Sequence, residues 1–282
     1  MKAVSREIER LVEGLAASDG AGVKLRRMLG ADLQRRLDPF LMLDAFGTDD
    51  PADYIAGFPD HPHRGFETVT YMLEGRMRHR DNAGNEGLLT PGAVQWMTAG
   101  RGIVHSEMPE QIEGRMQGFQ LWVNLPAANK MIPAAYCDIA PERVPTLAPA
   151  PGVAIKLIAG EVDGRRGAVE GNATDVLFLD IALEAGARYH AAIPPGHNAF
   201  VHVFDGTVQM GADGRVARAG RMAILSNGAD ADGVDLASEA GARMILLAGR
   251  PLGEPIAQWG PFVMNSREEI EQAMDDYRNG RF

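Results

Sequence analysis

Along most of the chain, hydrophobic residues recur with the two-residue period of strands, in short runs separated by turn residues. Phe40-Leu41-Met42-Leu43 is an apolar run that ends at Asp44 and Gly47. Residues 68–73 are β-branched and aromatic and lead into a Glu74-Gly75 turn. Residues 76–81 then alternate, with Met77 and His79 on one face and Arg76, Arg78 and Arg80 on the other, before the turn Asn82-Ala83-Gly84-Asn85. Residues 94–97, 103–108 and 118–125 supply further strands. Short strands at this spacing predict a sandwich or a small barrel.

The second half repeats the style. Strands are predicted at 174–183, at 199–204 running into an Asp205-Gly206 turn, at 207–210, at 222–225 and at 244–248. Between the halves, Pro141, Pro145, Pro149 and Pro151 stiffen one short segment and mark the best boundary. The opening stretch is ambiguous. Ile8, Leu11, Val12 and Leu15 have helical spacing, while a turn at residues 19–22 leads into a strand-like run at 23–28, so helix and strand fit equally. Near the other end, Ser266 followed by Glu269 forms a capping-box pattern, and Ile270, Ala273, Met274 and Tyr277 share one helical face until Asn279-Gly280. A helix is predicted there.

Composition narrows the function classes. The net charge of −10, without a basic run, argues against direct nucleic-acid binding, which needs clustered Lys and Arg. Cys137 is the one cysteine, so an internal disulfide and a cysteine-based zinc site are both excluded. Beside Tyr136 it reads as a small buried hydrophobe. No apolar stretch suits a signal peptide or a membrane span, which makes a reducing cytoplasm the expected compartment.

Four of the seven histidines lie between residues 61 and 105. His61-Pro62-His63, on a strand, turns both imidazoles to one side, and His105-Ser106-Glu107 repeats the spacing with a carboxylate. Two antiparallel strands facing each other across a barrel would bring both pairs to one ion. Three neutral imidazoles and a carboxylate suit one borderline divalent transition metal with open positions left over. Glu67 competes with Glu107 as the fourth ligand, because His61, His63, Glu67 and Gly75 have the spacing of a first cupin motif; spacing does not choose between them. The alternative is two unrelated surface clusters. His79, beside Met77, reads as a core histidine. His190, His197 and His202 lack such pairing. Gly100-Arg101-Gly102 reads as a tight turn, the arginine stripe at 76–80 as a solvated face, and Met97, Met108 and Met116 as core filler.

The blocks Asp38-Pro39-Phe40-Leu41, 58–69, 95–108, 120–125 and 260–265 resemble the pirin family. That resemblance implies an all-β fold of two tandem cupin barrels with a short C-terminal α-helix. Residues 1–139 would be the metal-binding cupin, 140–152 a Pro-rich linker and 153–282 a degenerate second cupin carrying the helix. It implies metal ligands at His61, His63, His105 and Glu107, a supporting role for Glu67, Fe(II) as the ion, and a strand at the N-terminal stretch. It implies a quercetin 2,3-dioxygenase type of activity, opening a flavonol with O2 and releasing CO, with Glu107 as catalytic base. The partners would be a small phenolic substrate and O2, with no nucleic acid and no membrane. The second function it implies is an iron-dependent redox sensor acting through protein partners.

Overall fold

In the computed structural model, which describes residues 3–228 and 230–282, strands dominate and a single α-helix occurs among the described residues. The first half contains β1 (Ile8–Glu13), β2 (Leu15–Asp19), β3 (Val23–Leu29), β4 (Phe40–Thr48), β5 (Phe58–His63), β6 (Phe66–Glu74), β7 (Met77–Asp81), β8 (Glu86–Leu89), β9 (Val94–Thr98), β10 (Ile103–Pro109), β11 (Met116–Asn124) and β12 (Ala135–Ile139). The second half contains β13 (Thr146–Leu147), β14 (Val153–Ala159), β15 (Glu161–Val162), β16 (Arg165–Arg166), β17 (Leu177–Leu183), β18 (Arg188–Ala192), β19 (Asn198–Met210), β20 (Arg215–Arg218), β21 (Arg221–Leu225), β22 (Gly233–Ala237) and β23 (Ala242–Gly249). The hairpin β24 (Ala257–Trp259) and β25 (Phe262–Met264) then precedes α1 (Arg267–Arg278).

The predicted strands are present, and the ambiguous opening stretch is strand. One prediction is corrected. Asp205-Gly206 is no hairpin turn but lies inside the single long strand β19, whose pairing with β23 shifts register between Val203 and Asp205. Such a bulge lets one strand pair with β21 and β23 in its first part and with β20 and β22 in its second.

The chain forms two compact units whose limits differ from the linear boundaries expected. One unit joins residues up to Gly14 and Arg35–Asp38 to Glu142–Pro251; the other joins Leu15–Gln34, Pro39–Pro141 and Leu252–Phe282. The reason is strand pairing. β1 is a partner of β21, so the first strand completes the sheet of the second half. Conversely, α1 packs on β24 and β25, and these belong with the first-half strands. The boundary near residue 141 falls in the Pro-rich segment.

In the second-half unit the interior is aliphatic, with Ile155, Leu157, Leu179, Ile181, Val201, Val203 and Leu246 fully buried. At roughly 1.5–3 kcal/mol per buried side chain of this kind, such a lining stabilises the sheet and leaves little room for polar chemistry. The first-half unit pairs a seven-stranded sheet, in the order β12-β9-β6-β11-β4-β3-β2, with a four-stranded sheet in the order β5-β10-β7-β8. Its buried polar residues include His63, His79, His105, Glu67 and Glu107. α1 has the predicted capping box at Ser266 and Glu269 and buries Ile270 and Ala273.

Burial has a consequence for stability. On β19, His202 is buried, which pulls its pKa down to about 4 against the weaker opposing effect of a backbone hydrogen bond at Arg221. Below about pH 6.5 the unfolded chain takes up a proton that the folded chain refuses. Stability should therefore fall as pH drops from 6.5 toward 4, by up to about 3 kcal/mol from this group. Chemical unfolding measured across that window should show a shallower slope for His202→Gln.

Candidate metal centre

The two histidine pairs meet in a way the sequence did not indicate. β5 and β10 do not face each other across the barrel; they are hydrogen-bonded neighbours, with His105 opposite His61 and Ile103 opposite His63. Directly opposed residues of an antiparallel pair project to the same face, and residues two apart along a strand do likewise. One sheet surface therefore collects all three imidazoles. Their ring centroids are 4.7 Å apart for His61 and His63, 4.4 Å for His61 and His105, and 5.0 Å for His63 and His105. One ligand nitrogen from each lies within 4.8 Å of the others, and this is the one such cluster among the described residues.

The electrostatics favour a cation. His63 and His105 are buried, and burial, reinforced by the neighbouring imidazoles, holds His63 well below the ordinary histidine value. Burial takes His105 down to about 4, despite the opposing charge of Glu107. Both rings are thus neutral at neutral pH and have lone pairs to give. His105 buries both ring nitrogens without a hydrogen-bond partner, and His63 does so at Nδ1. Orphaned nitrogens of this kind cost free energy unless something fills the space between them. His61 is anchored by its Nδ1, 2.8 Å from the Pro59 carbonyl, which fixes the proton there and leaves the lone pair on Nε2. The donor set fits a borderline divalent transition ion.

Glu107, two residues beyond His105 on β10, is fully enclosed. Burial works against its charge, but His105, His61, Gln120 and Thr70 outweigh it and keep the carboxyl below the ordinary value. Oε1 accepts from Thr70 Oγ1 at 2.9 Å and Oε2 from Gln120 Nε2 at 2.8 Å. Thr70 and Gln120 are opposed residues of β6 and β11, so Glu107 reaches from the four-stranded sheet to the seven-stranded one. Glu67 lies elsewhere, on β6, where its Oε1 accepts from Thr98 Oγ1 at 2.8 Å and burial raises its pKa. His79 is a core histidine, 2.8 Å from Asp138 and stacked on Tyr136. Two smaller expectations are corrected: Cys137 is exposed, on the edge strand β12, and Met108 is 36% exposed rather than core.

Beside the cluster, His61 and His63 line a cavity of about 870 Å³, together with Leu41, Met42, Phe58, Gln120, Trp122 and Ile256. Apolar walls with a few convergent polar groups are what a small-molecule site requires. Gln120, Thr70 and Trp122 carry no spacing signal, because β6 and β11 are buried over most of their length and alternation does not reveal which side faces the cluster.

Two family models match the chain. The Pirin family model matches residues 22–123, and that of the Pirin C-terminal cupin domain matches 178–282. The chain belongs to the pirin family. It is a two-cupin protein, as the resemblance implied. It is 57% identical, over 98% of its length and 97% of the other's, to a Pseudomonas aeruginosa protein provisionally named a quercetin 2,3-dioxygenase. It is 41% identical to human pirin over 98% of this chain and 94% of that one. A solved structure of a quercetin 2,3-dioxygenase from Acinetobacter baumannii superposes with a TM-score of 0.92 at 33% identity, covering 99% of both chains. No helix among the described residues is long and apolar enough to cross a membrane.

If the imidazoles hold the ion, His61→Ala should lower bound metal from about one per chain to a small fraction of that. Metal analysis after equilibrium dialysis measures this, and an unchanged far-UV circular dichroism spectrum would show that the fold survives.

Proposed function

We propose that the chain binds one Fe(II) through His61, His63, His105 and Glu107 and opens a flavonol-like substrate with O2, as a quercetin 2,3-dioxygenase does. The observation that carries the reading is the partner-poor imidazole cluster, two of its three rings buried, beside a cavity with Leu41, Met42, Phe58 and Trp122 in its walls. The family relationship supports it.

Bound there, the ion supplies Lewis acidity, which brings a substrate hydroxyl's proton within reach of an acidic carboxylate, and an electron source for dioxygen. The protein's own part is orientation, exclusion of water and movement of one proton. Leu41, Met42, Phe58 and Trp122 give a planar phenolic molecule an apolar slot, and the Trp122 ring stands edge-on to His63 at 5.3 Å. Glu107 takes the proton of the flavonol 3-hydroxyl at Oε2, the oxygen that now accepts from Gln120. Gln120 lines the cavity as well, so its amide is placed to exchange its bond to Glu107 for one to the substrate. A general base works best with a pKa near the operating pH. Glu107 is held below the ordinary carboxylate range, so its basicity alone contributes little and the geometry must supply the rest.

The test is anaerobic loading with Fe(II), followed by oxygen uptake and CO release with flavonols. Metal-dependent uptake with CO is expected, and Glu107→Gln at saturating metal should lower turnover at least a hundredfold. Unchanged rates in that variant would remove Glu107 from catalysis. No uptake across a broad phenolic panel would overturn the enzymatic reading in favour of a redox sensor acting through protein partners.

A further inference from the structure

We propose that the arm formed by residues 252–282 is a positioning device for the centre, acting through Arg64 and Phe282 on the ends of both histidine strands, and that it sets how tightly the ion is held. The proposal rests on reading the histidine cluster as a metal site.

His63 is the last residue of β5, where a strand has no further ladder to fix it. The arm supplies that fixation. The Arg64 N–H donates to the Pro261 carbonyl at 3.3 Å, and the Val263 N–H donates to the Arg64 carbonyl at 3.0 Å. Gly65 has φ +88°, and a Cβ there would come within 2.0 Å of the Val263 carbonyl, so only glycine allows so close an approach. The Lys130 ammonium, itself buried, donates to Gly65 O at 2.7 Å, to Val263 O at 3.0 Å and to Asn124 Oδ1 at 2.6 Å. It pins the arm and the segment after His63 to one point.

The side chain of Arg64 adds a second grip. It is 3% exposed, an expensive place for a guanidinium unless each face is matched. Nε donates to the Arg101 carbonyl at 2.5 Å, Nη1 donates to Asp276 Oδ2 at 2.7 Å, and Cζ stands 4.4 Å over the Phe282 ring. Asp276 is oriented in turn by Gln272 Nε2 at 2.8 Å and Arg281 Nε at 2.7 Å. Phe282 also touches the other histidine strand. A Cβ on Gly102, just before β10, would lie 2.7 Å from the Phe282 ring, and Asn82 Nδ2 donates to the Phe282 carbonyl oxygen at 3.1 Å. One aromatic ring therefore sits against the residue after His63 and against the turn that launches His105. The arm also covers apolar surface, with Phe282 packed against the Phe262, Met264, Ile270 and Ala273 cluster, but the bonds from Arg64 to Asp276 and from Asn82 to Phe282 go beyond such cover.

The test uses the full chain with Co(II) as the probe, following its visible absorption bands and its dissociation constant in competition with a chelator. Asp276→Asn and Phe282→Ala should each raise that constant at least tenfold and alter the bands, with Phe282→Tyr restoring both. The control is Ile181→Val, in the other unit, which lowers metal-free stability without touching the arm. It should leave affinity and bands as in the parent chain. Parental affinity and spectrum in Asp276→Asn and Phe282→Ala would overturn the arm's role, as would an equal weakening in the control. A parent chain that binds no Co(II) would overturn the metal reading itself.

Discussion

The centre depends on one register: His105 opposite His61 on adjacent strands, with His63 two residues along. That register gathers three imidazoles on one sheet surface at ring separations of 4.4–5.0 Å. Because side chains alternate, a slip of one residue between β5 and β10 would send His105 to the opposite face. Everything that fixes the register therefore serves the centre. The grip of the arm on Arg64 and Gly65 acts at one end of it. The tie from Glu107 to Thr70 and Gln120 acts at the other, joining the two sheets of the unit.

Burial makes the same register costly without an ion. Buried imidazole nitrogens with no partner, and a buried carboxylate among them, represent desolvation that packing cannot offset. A divalent cation bound there would offset it by accepting the lone pairs and balancing the negative charge of Glu107. The second-half unit shows the contrast. It is built from the same kind of strands, yet its interior is closed by aliphatic side chains, and among its described residues no three metal-ligating side chains cluster together.

Much of this was legible in the sequence, for physical reasons that differ from element to element. Most strands declared themselves through period-two patterning and turn residues, and α1 through its Ser266–Glu269 box. The His-x-His and His-x-Glu spacings identified three residues that the fold brings together. What local pattern did not reveal was pairing over distance. Nothing in residues 8–13 says that their partner lies at 221–225, and nothing in 252–282 says that it returns to the first-half strands. The Asp205-Gly206 dipeptide read as a turn because its local chemistry is the same in a bulge. The tie of Glu107 to Thr70 and Gln120, and the grip of Lys130 and Arg64, depend on side chains far apart in the chain whose types are unremarkable in isolation.

The central claim is that one ion sits among His61, His63, His105 and Glu107. Anomalous diffraction at the iron edge, from crystals loaded anaerobically with Fe(II), tests it most directly. The account predicts one anomalous peak per chain between the three imidazoles, with a Glu107 oxygen turned from Thr70 or Gln120 to complete the set. A peak elsewhere, or one coordinated by the imidazoles with no Glu107 oxygen bound to it, would contradict it.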